Sequence, residues 1–140
     1  MPVAKGKWIG GMSFHVKTPS NHYVYLDASP DVGGDDSAAR PFELLAVSLI
    51  GCTGMDVVSI LRKMRVENYK FELECEFERA PEHPKYLTKV HLKYIFTGKE
   101  LPRDKIEKAV NLSQERYCGV SETFKRADVE LTYEVIINEE

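Results

Sequence analysis

Phe42 to Met64, FELLAVSLIGCTGMDVVSILRKM, is the stretch on which the fold turns. Nothing in it breaks a helix except Gly51 and Gly54, and Phe42 to Ile50 is apolar on nearly every side, the pattern of a helix buried all round. Pro41 fits its first turn. Immediately upstream, Ala28 to Arg40 (ASPDVGGDDSAAR) is small, polar and Gly-rich, which predicts an exposed loop carrying the helix start signals. Solvated loop acids account for Asp35 and Asp36 more simply than a cation site does.

Further upstream the chain reads as short strands, Lys7 to Lys17 and His22 to Asp27, with Thr18-Pro19-Ser20-Asn21 as the hairpin connection. Downstream, Phe71, Leu73, Cys75 and Phe77 alternate with Glu72, Glu74, Glu76 and Glu78, the period-two signature of a half-buried strand. Ala80 to Lys85, with Pro81 and Pro84, is a turn. Val90, Leu92, Tyr94 and Phe96 then alternate with Lys89, His91 and Lys93, predicting an antiparallel partner whose lysines face the glutamates. Pro102 opens a second helix to about Tyr117, with Ile106, Ala109, Val110 and Ser113 on one stripe and Gly119 placed as its C-terminal cap. A brief helical stretch, Ser121 to Arg126, precedes a last strand in which Val129, Leu131, Tyr133, Val135 and Ile137 share one face. The order β-β-α-β-β-α-β is that of an α+β protein. A helix too apolar for a monomer surface predicts shielding by a second subunit.

With 140 residues, 43% hydrophobic and 29% charged, the chain has the composition of a single domain, 1–140. Its formal charge of -3 is dispersed, so no basic surface for nucleic acid is expected. The first residues lack a continuous apolar leader core, and no apolar run approaches the roughly 20 residues that cross a bilayer. These points predict a cytoplasmic protein without membrane partners. Three cysteines are too few and too scattered for a secreted disulfide scaffold, which leaves structural, metal-binding or catalytic roles. The four histidines form no ligand-spaced cluster with them, so a zinc site is not expected; no nucleotide-binding glycine motif occurs either.

Each cysteine has its own context. Cys75 lies on the inward side of a strand between Leu73 and Phe77 and reads as a small hydrophobe. Its neighbours Glu74 and Glu76 disfavour a thiolate. Cys52 is different. At about 100° per residue, Ser48, Cys52, Asp56 and Ser59 form a polar stripe on an otherwise apolar helix. Close helix packing at Gly51 and Gly54 explains that stripe as well as catalysis does, and the same glycines leave a passage to the sulfur. Asp56 disfavours a thiolate at Cys52, so a catalytic role requires a nearby cation. Cys118 falls between two helical segments: the C-terminal end of one raises a thiol pKa, the N-terminal end of the next lowers it, and position alone leaves both open. Packing of the second helix on the first could bring Cys118 to Cys52.

Pro41 to Val58 (PFELLAVSLIGCTGMDVV) resembles the helix motif of the OsmC/Ohr family, and Glu115 to Ser121 (ERYCGVS) resembles its second cysteine motif, with Gly119 where a proline is common. The resemblance covers nearly the whole chain. It implies an OsmC-like fold of antiparallel sheets wrapped around long central helices in an intertwined homodimer, with the site at the subunit interface. The activity it implies is that of a thiol peroxidase in oxidative-stress defence, reducing organic hydroperoxides or hydrogen peroxide. Cys52 is then the peroxidatic thiol, Cys118 the resolving thiol, and an external dithiol or lipoyl-type reductant closes the cycle without metal or organic cofactor. The family's peroxidases place a glutamate directly after the motif proline and an arginine in the N-terminal strands. Here Phe42 follows Pro41, Glu43 comes one place later, and Arg40 is the first arginine, so the resemblance carries to Glu43 and Arg40 as candidate catalytic groups of a divergent branch. Lys5, Lys7 or a partner-subunit group are the other candidates for the cation. The alternatives are a non-catalytic redox-sensing or small-ligand-binding dimer, and a protein in which Cys52 is only a packing residue.

Overall fold

A computed structural model describes residues 1–140, which divide into two compact units, Met1–Leu45 and Ala46–Glu140. The first unit carries a three-stranded antiparallel sheet of β1 (Lys5–Trp8), β2 (Phe14–Lys17) and β3 (Tyr23–Leu26) in that order. The single strand expected from Lys7 to Lys17 is in fact two strands. Gly10 and Gly11, at φ 110° and 54°, turn the chain back on itself, and the Ile9 N–H closes the turn on the Ser13 carbonyl at 3.0 Å. The Thr18–Asn21 hairpin lies where its turn residues put it, with the Thr18 N–H bonded to the His22 carbonyl at 2.8 Å.

The loop after β3 is organised around Asp27, which is 2% exposed. Its carboxylate accepts from the Ala28, Asp35 and Ser37 N–H groups and from the Ser37 hydroxyl. Those bonds, led by that hydroxyl, hold it well below the usual carboxylate range. The loop expected to be merely exposed is thus pinned from inside. Gly34 passes so close to Ala28 that a Cβ there would lie 1.9 Å from the Ala28 carbonyl oxygen.

Helix α1 (Glu43–Lys63) starts in the first unit and continues through the second. It is 21 residues long and, by length and composition, apolar enough to cross a membrane, which corrects the expectation that no such segment exists. Nor is it buried all round. Within the chain it buries one stripe, Leu49, Thr53, Val57 and Leu61, while Val47 and Met55 are 57% and 76% exposed.

The second unit holds a mixed sheet, β4 (Lys70–Arg79), β5 (Leu87–Gly98) and β6 (Glu130–Glu139). β4 and β5 pair antiparallel, with Glu74 opposite Lys93 and Glu78 opposite Lys89 as the alternation predicts; the Lys93 ammonium lies 3.3 Å from Glu76. β6 pairs parallel with β5, so a long crossover joins them. That crossover carries α2 (Arg103–Leu112), a wide π-type turn at Ser113–Tyr117 and α3 (Gly119–Arg126). The helix expected to run regularly to Tyr117 therefore loses its α-pitch at Ser113. Gly119 is not its cap but the first residue of α3. The core lies between the β5 residues Val90, Leu92, Tyr94 and Phe96, the buried stripe of α1, and Ile106, Ala109 and Val110 of α2.

Candidate active site

The buried stripe of α1 contains one polar side chain, Thr53, and a hydrogen-bonded network is built on it. Thr53 Oγ1 lies 2.6 Å from Tyr94 Oη and 2.8 Å from Ser113 Oγ. Gln114 Nε2 donates to Tyr94 Oη at 2.6 Å and to Thr53 Oγ1 at 3.3 Å. The Ser113 hydroxyl donates to Asp56 Oδ2 at 2.9 Å. A hydroxyl has one proton to give. Since Ser113 gives its proton to Asp56, Thr53 must donate to Ser113, and Tyr94 in turn to Thr53. The bonds therefore run in one direction, Tyr94 to Thr53 to Ser113, ending on the Asp56 carboxylate. Burial pushes the Tyr94 phenol up to about 12, against the opposing pull of its bonds to Thr53 and Gln114.

Cys52 precedes Thr53 by one residue and stands one helical turn before Asp56, half-buried. Cys118 comes to it from the crossover. The wide turn at Ser113–Tyr117 closes with the Cys118 N–H on the Ser113 carbonyl at 2.8 Å, one residue further back than an α-helix allows. The extra residue lets Ser113 point into the network while Cys118 ends the turn. Cys118 is 3% exposed and is the N-cap of α3, its sulfur accepting from the Ser121 N–H at 3.4 Å. This answers the question of which helical field it meets. It sits at the favourable N-terminal end, yet burial outweighs that position and pushes its thiol up, while the Ser121 hydroxyl and N–H pull the other way and the adjacent Cys52 adds to the rise.

The Cys52 sulfur, the Cys118 sulfur and an Asp56 carboxylate oxygen all lie within 4.8 Å of one another, and both thiols are free. Asp56 makes no ion pair; its hydrogen bond is to Ser113. A cavity of about 530 Å³ opens beside Asp56, with Ser59, Lys63, Lys108, Leu112 and Tyr117 in its wall. Lys63 and Lys108 are the basic groups that share this space with Asp56. Sequence reading missed both, because exposed lysines on two separate helices carry no periodic signal.

The other two candidates stand at the entry to α1. The Arg40 guanidinium pairs with Asp36 at 2.8 Å and donates to the Ala38 carbonyl at 3.0 Å. The Glu43 carboxylate, in the first turn of α1, accepts from the Arg40 N–H at 3.3 Å, the reciprocal half of a helix-capping box. Glu43 lies nine residues before Cys52 on an unbroken helix, about 180° round the cylinder from it. Cys75 faces inward on β4, and burial followed by Glu76 pushes its thiol up, as the alternation predicts for a packing residue.

A half-exposed thiol on a long helix, met by a buried thiol at the head of a second, defines an α+β dithiol protein. The chain belongs to the OsmC-like protein family, whose model matches residues 34–134. It has the OsmC-like fold. Protein YhfA of Escherichia coli strain K12 is 34% identical over 134 residues, covering 95% of this chain and 97% of that protein. A hypothetical protein of Aquifex aeolicus VF5 superposes with a TM-score of 0.79 at 28% identity, covering 98% of this chain and 97% of that one. An organic hydroperoxide resistance protein OsmC of Legionella pneumophila, described as a predicted redox protein, shares the fold with a TM-score of 0.67 at 21% identity, over 97% and 96% of the two chains.

Proposed function

We propose that the protein is a thiol-dependent peroxidase that reduces hydroperoxides through Cys52 and Cys118. The observation that carries this reading is the meeting of two free sulfurs 66 positions apart in the sequence, one reachable from solvent and one sealed. As a thiolate, Cys52 attacks the distal oxygen of ROOH; the O–O bond breaks, an alcohol leaves after taking up a proton, and Cys52 becomes a sulfenic acid. Cys118 then attacks that sulfur, water departs, and a disulfide forms. An external dithiol or lipoyl-type reductant returns both thiols by exchange, so the cycle uses no metal or organic cofactor. Lys63 and Lys108 are the cations of the second unit that supply positive potential on the cavity side, with Arg40, Lys5, Lys7 and partner groups as the remaining candidates. Family membership and the hydroperoxide resistance protein of the same fold support the substrate class.

The working unit in this proposal is a homodimer in the cytoplasm, where a free dithiol persists. Its support is the apolar surface the single chain leaves open: Val47 and Met55 on α1, and Trp8, Tyr23 and Tyr25 on the first sheet, are all more than half exposed. Rapid mixing of reduced protein with cumene hydroperoxide or hydrogen peroxide, quenched into alkylating reagent, tests the chemistry. The expected product is a Cys52–Cys118 disulfide; thiol loss no faster than in Cys52→Ser rejects it. Asp56 beside the thiols with no ion pair favours a second reading, a redox-sensing or ligand-binding dimer without efficient turnover. Stoichiometric oxidation with no further turnover in the presence of a dithiol would select it.

A further inference from the structure

We infer that the reduced site is also a binding site for one thiophilic divalent cation, held by Cys52 Sγ, Cys118 Sγ and an Asp56 carboxylate oxygen. The sequence gives no hint of it, because the spacing rules for metal sites look for clustered His and Cys, and these ligands come from α1 and from the head of α3. Space brings them together. All three ligand atoms lie within 4.8 Å of one another. Two thiolates about 2.3 Å from a tetrahedral Zn²⁺ are roughly 3.8 Å apart, so one ion can span the set after side-chain adjustments of ångström size.

Three further observations point to a cation. The carboxylate is aimed: Ser113 donates to Asp56 Oδ2 at 2.9 Å, and Thr53 and Tyr94 feed that bond in turn, the outer-shell support that fixes a ligating carboxylate. It is also uncompensated, since Asp56 has no ion pair, and two ionised sulfurs beside it would repel one another and it unless a positive charge lay between them. The cavity of about 530 Å³ with Asp56 in its wall gives ions a route to the carboxylate side of the set. Two thiolates and one carboxylate around Zn²⁺ sum to one negative charge, and Lys63 and Lys108 in the same wall offset it. Sulfur ligands favour Zn²⁺, Cd²⁺ or Co²⁺ over Mg²⁺ or Ca²⁺. Binding replaces the two thiol protons, which pass to solvent, and involves no electron transfer. The ion occupies both sulfurs and so excludes disulfide formation while it is bound.

The test is made on the anaerobically reduced full chain without peroxide, which separates it from the peroxidase reading. Co²⁺ should bind at one equivalent per chain with sulfur-to-cobalt charge-transfer absorption, and Zn²⁺ should displace it. Asp56→Asn should weaken Zn²⁺ at least about tenfold and Cys118→Ser at least about a hundredfold, whereas Cys75→Ser should titrate like the unaltered protein. Should a substitution disturb folding, alkylation of Cys52 and Cys118 in the Cys75→Ser protein, mapped by mass spectrometry, must abolish the absorption. Unchanged titration of Cys118→Ser or Asp56→Asn, or charge transfer that survives alkylation, overturns the assignment.

Discussion

Tyr94 carries its hydroxyl into the interior, and everything it bonds is buried with it. Replacing it with Phe leaves Gln114 Nε2 without its shorter acceptor and Thr53 with only the longer bond from Gln114, in a region where Gln114 Oε1 already has no partner. Tyr94→Phe should cost about 1–3 kcal/mol, read from the urea midpoint at unchanged slope. Because the folded phenol is raised to about 12, its contribution is complete below the ordinary tyrosine value near 10 and is lost as pH climbs from there toward 12. Cys118 gives a prediction of the same kind. Its thiol is raised, so at neutral pH only a small fraction is thiolate, and the capture of a Cys52 sulfenic acid should accelerate about tenfold per pH unit from 7 to 8. Acid-quenched mass spectrometry of the disulfide against pH checks it. Asp27 has the opposite sign: a carboxyl depressed in the fold stabilises it above its ordinary value near 4, and that support disappears progressively below pH 4. Amide exchange at Ala28, Asp35 and Ser37 should rise in that window, before exchange in β5.

At the scale of elements, the loop that closes on Asp27 tolerates no side chain at Gly34. Gly34→Ala would place a methyl against the Ala28 backbone, and its expected result is loss of the first unit's ordered amide pattern while the β4–β5 cross-peaks persist. Elements with a clean period were legible in the sequence. β4 and β5 declared themselves by strict alternation, and α1 by an apolar length interrupted only by Gly51 and Gly54. What sequence could not supply was anything set by contact across elements. Thr53 reads as one more residue of an apolar helix until Tyr94 and Ser113 are seen against it. The Ser113–Tyr117 turn obeys no periodic rule, since one inserted residue shifts the face of everything after it. For the same reason Gly119 passed for a helix cap, because a glycine after a helical stripe marks an end or a beginning equally well. At the site, the order of the two cysteine motifs could be read directly, whereas the aim of Asp56 at the thiols depends on Ser113 and could not.

For the molecule as a whole, the exposed apolar face of α1 sets the expectation for assembly. A chain of 16.0 kDa should elute with twice that mass in light scattering, and Met55→Lys, at a position 76% exposed here, should shift it toward monomer by at least about tenfold in dissociation constant with little change in the monomer's own helicity. Retention of dimer mass in Met55→Lys would place the interface elsewhere, and partition of the unaltered chain into lipid vesicles would assign the helix to a bilayer instead. The parallel pairing of β5 with β6 bears on how the protein comes into being. A parallel neighbour cannot be reached by a tight turn, so β6 reaches its place only across the whole crossover that bears Cys118. As the chain leaves the ribosome, Cys118 emerges before the closing strand, on a crossover that no sheet pairing yet holds at its far end. A newborn or clipped chain lacking that strand should therefore bring its two sulfurs together less firmly than the finished one.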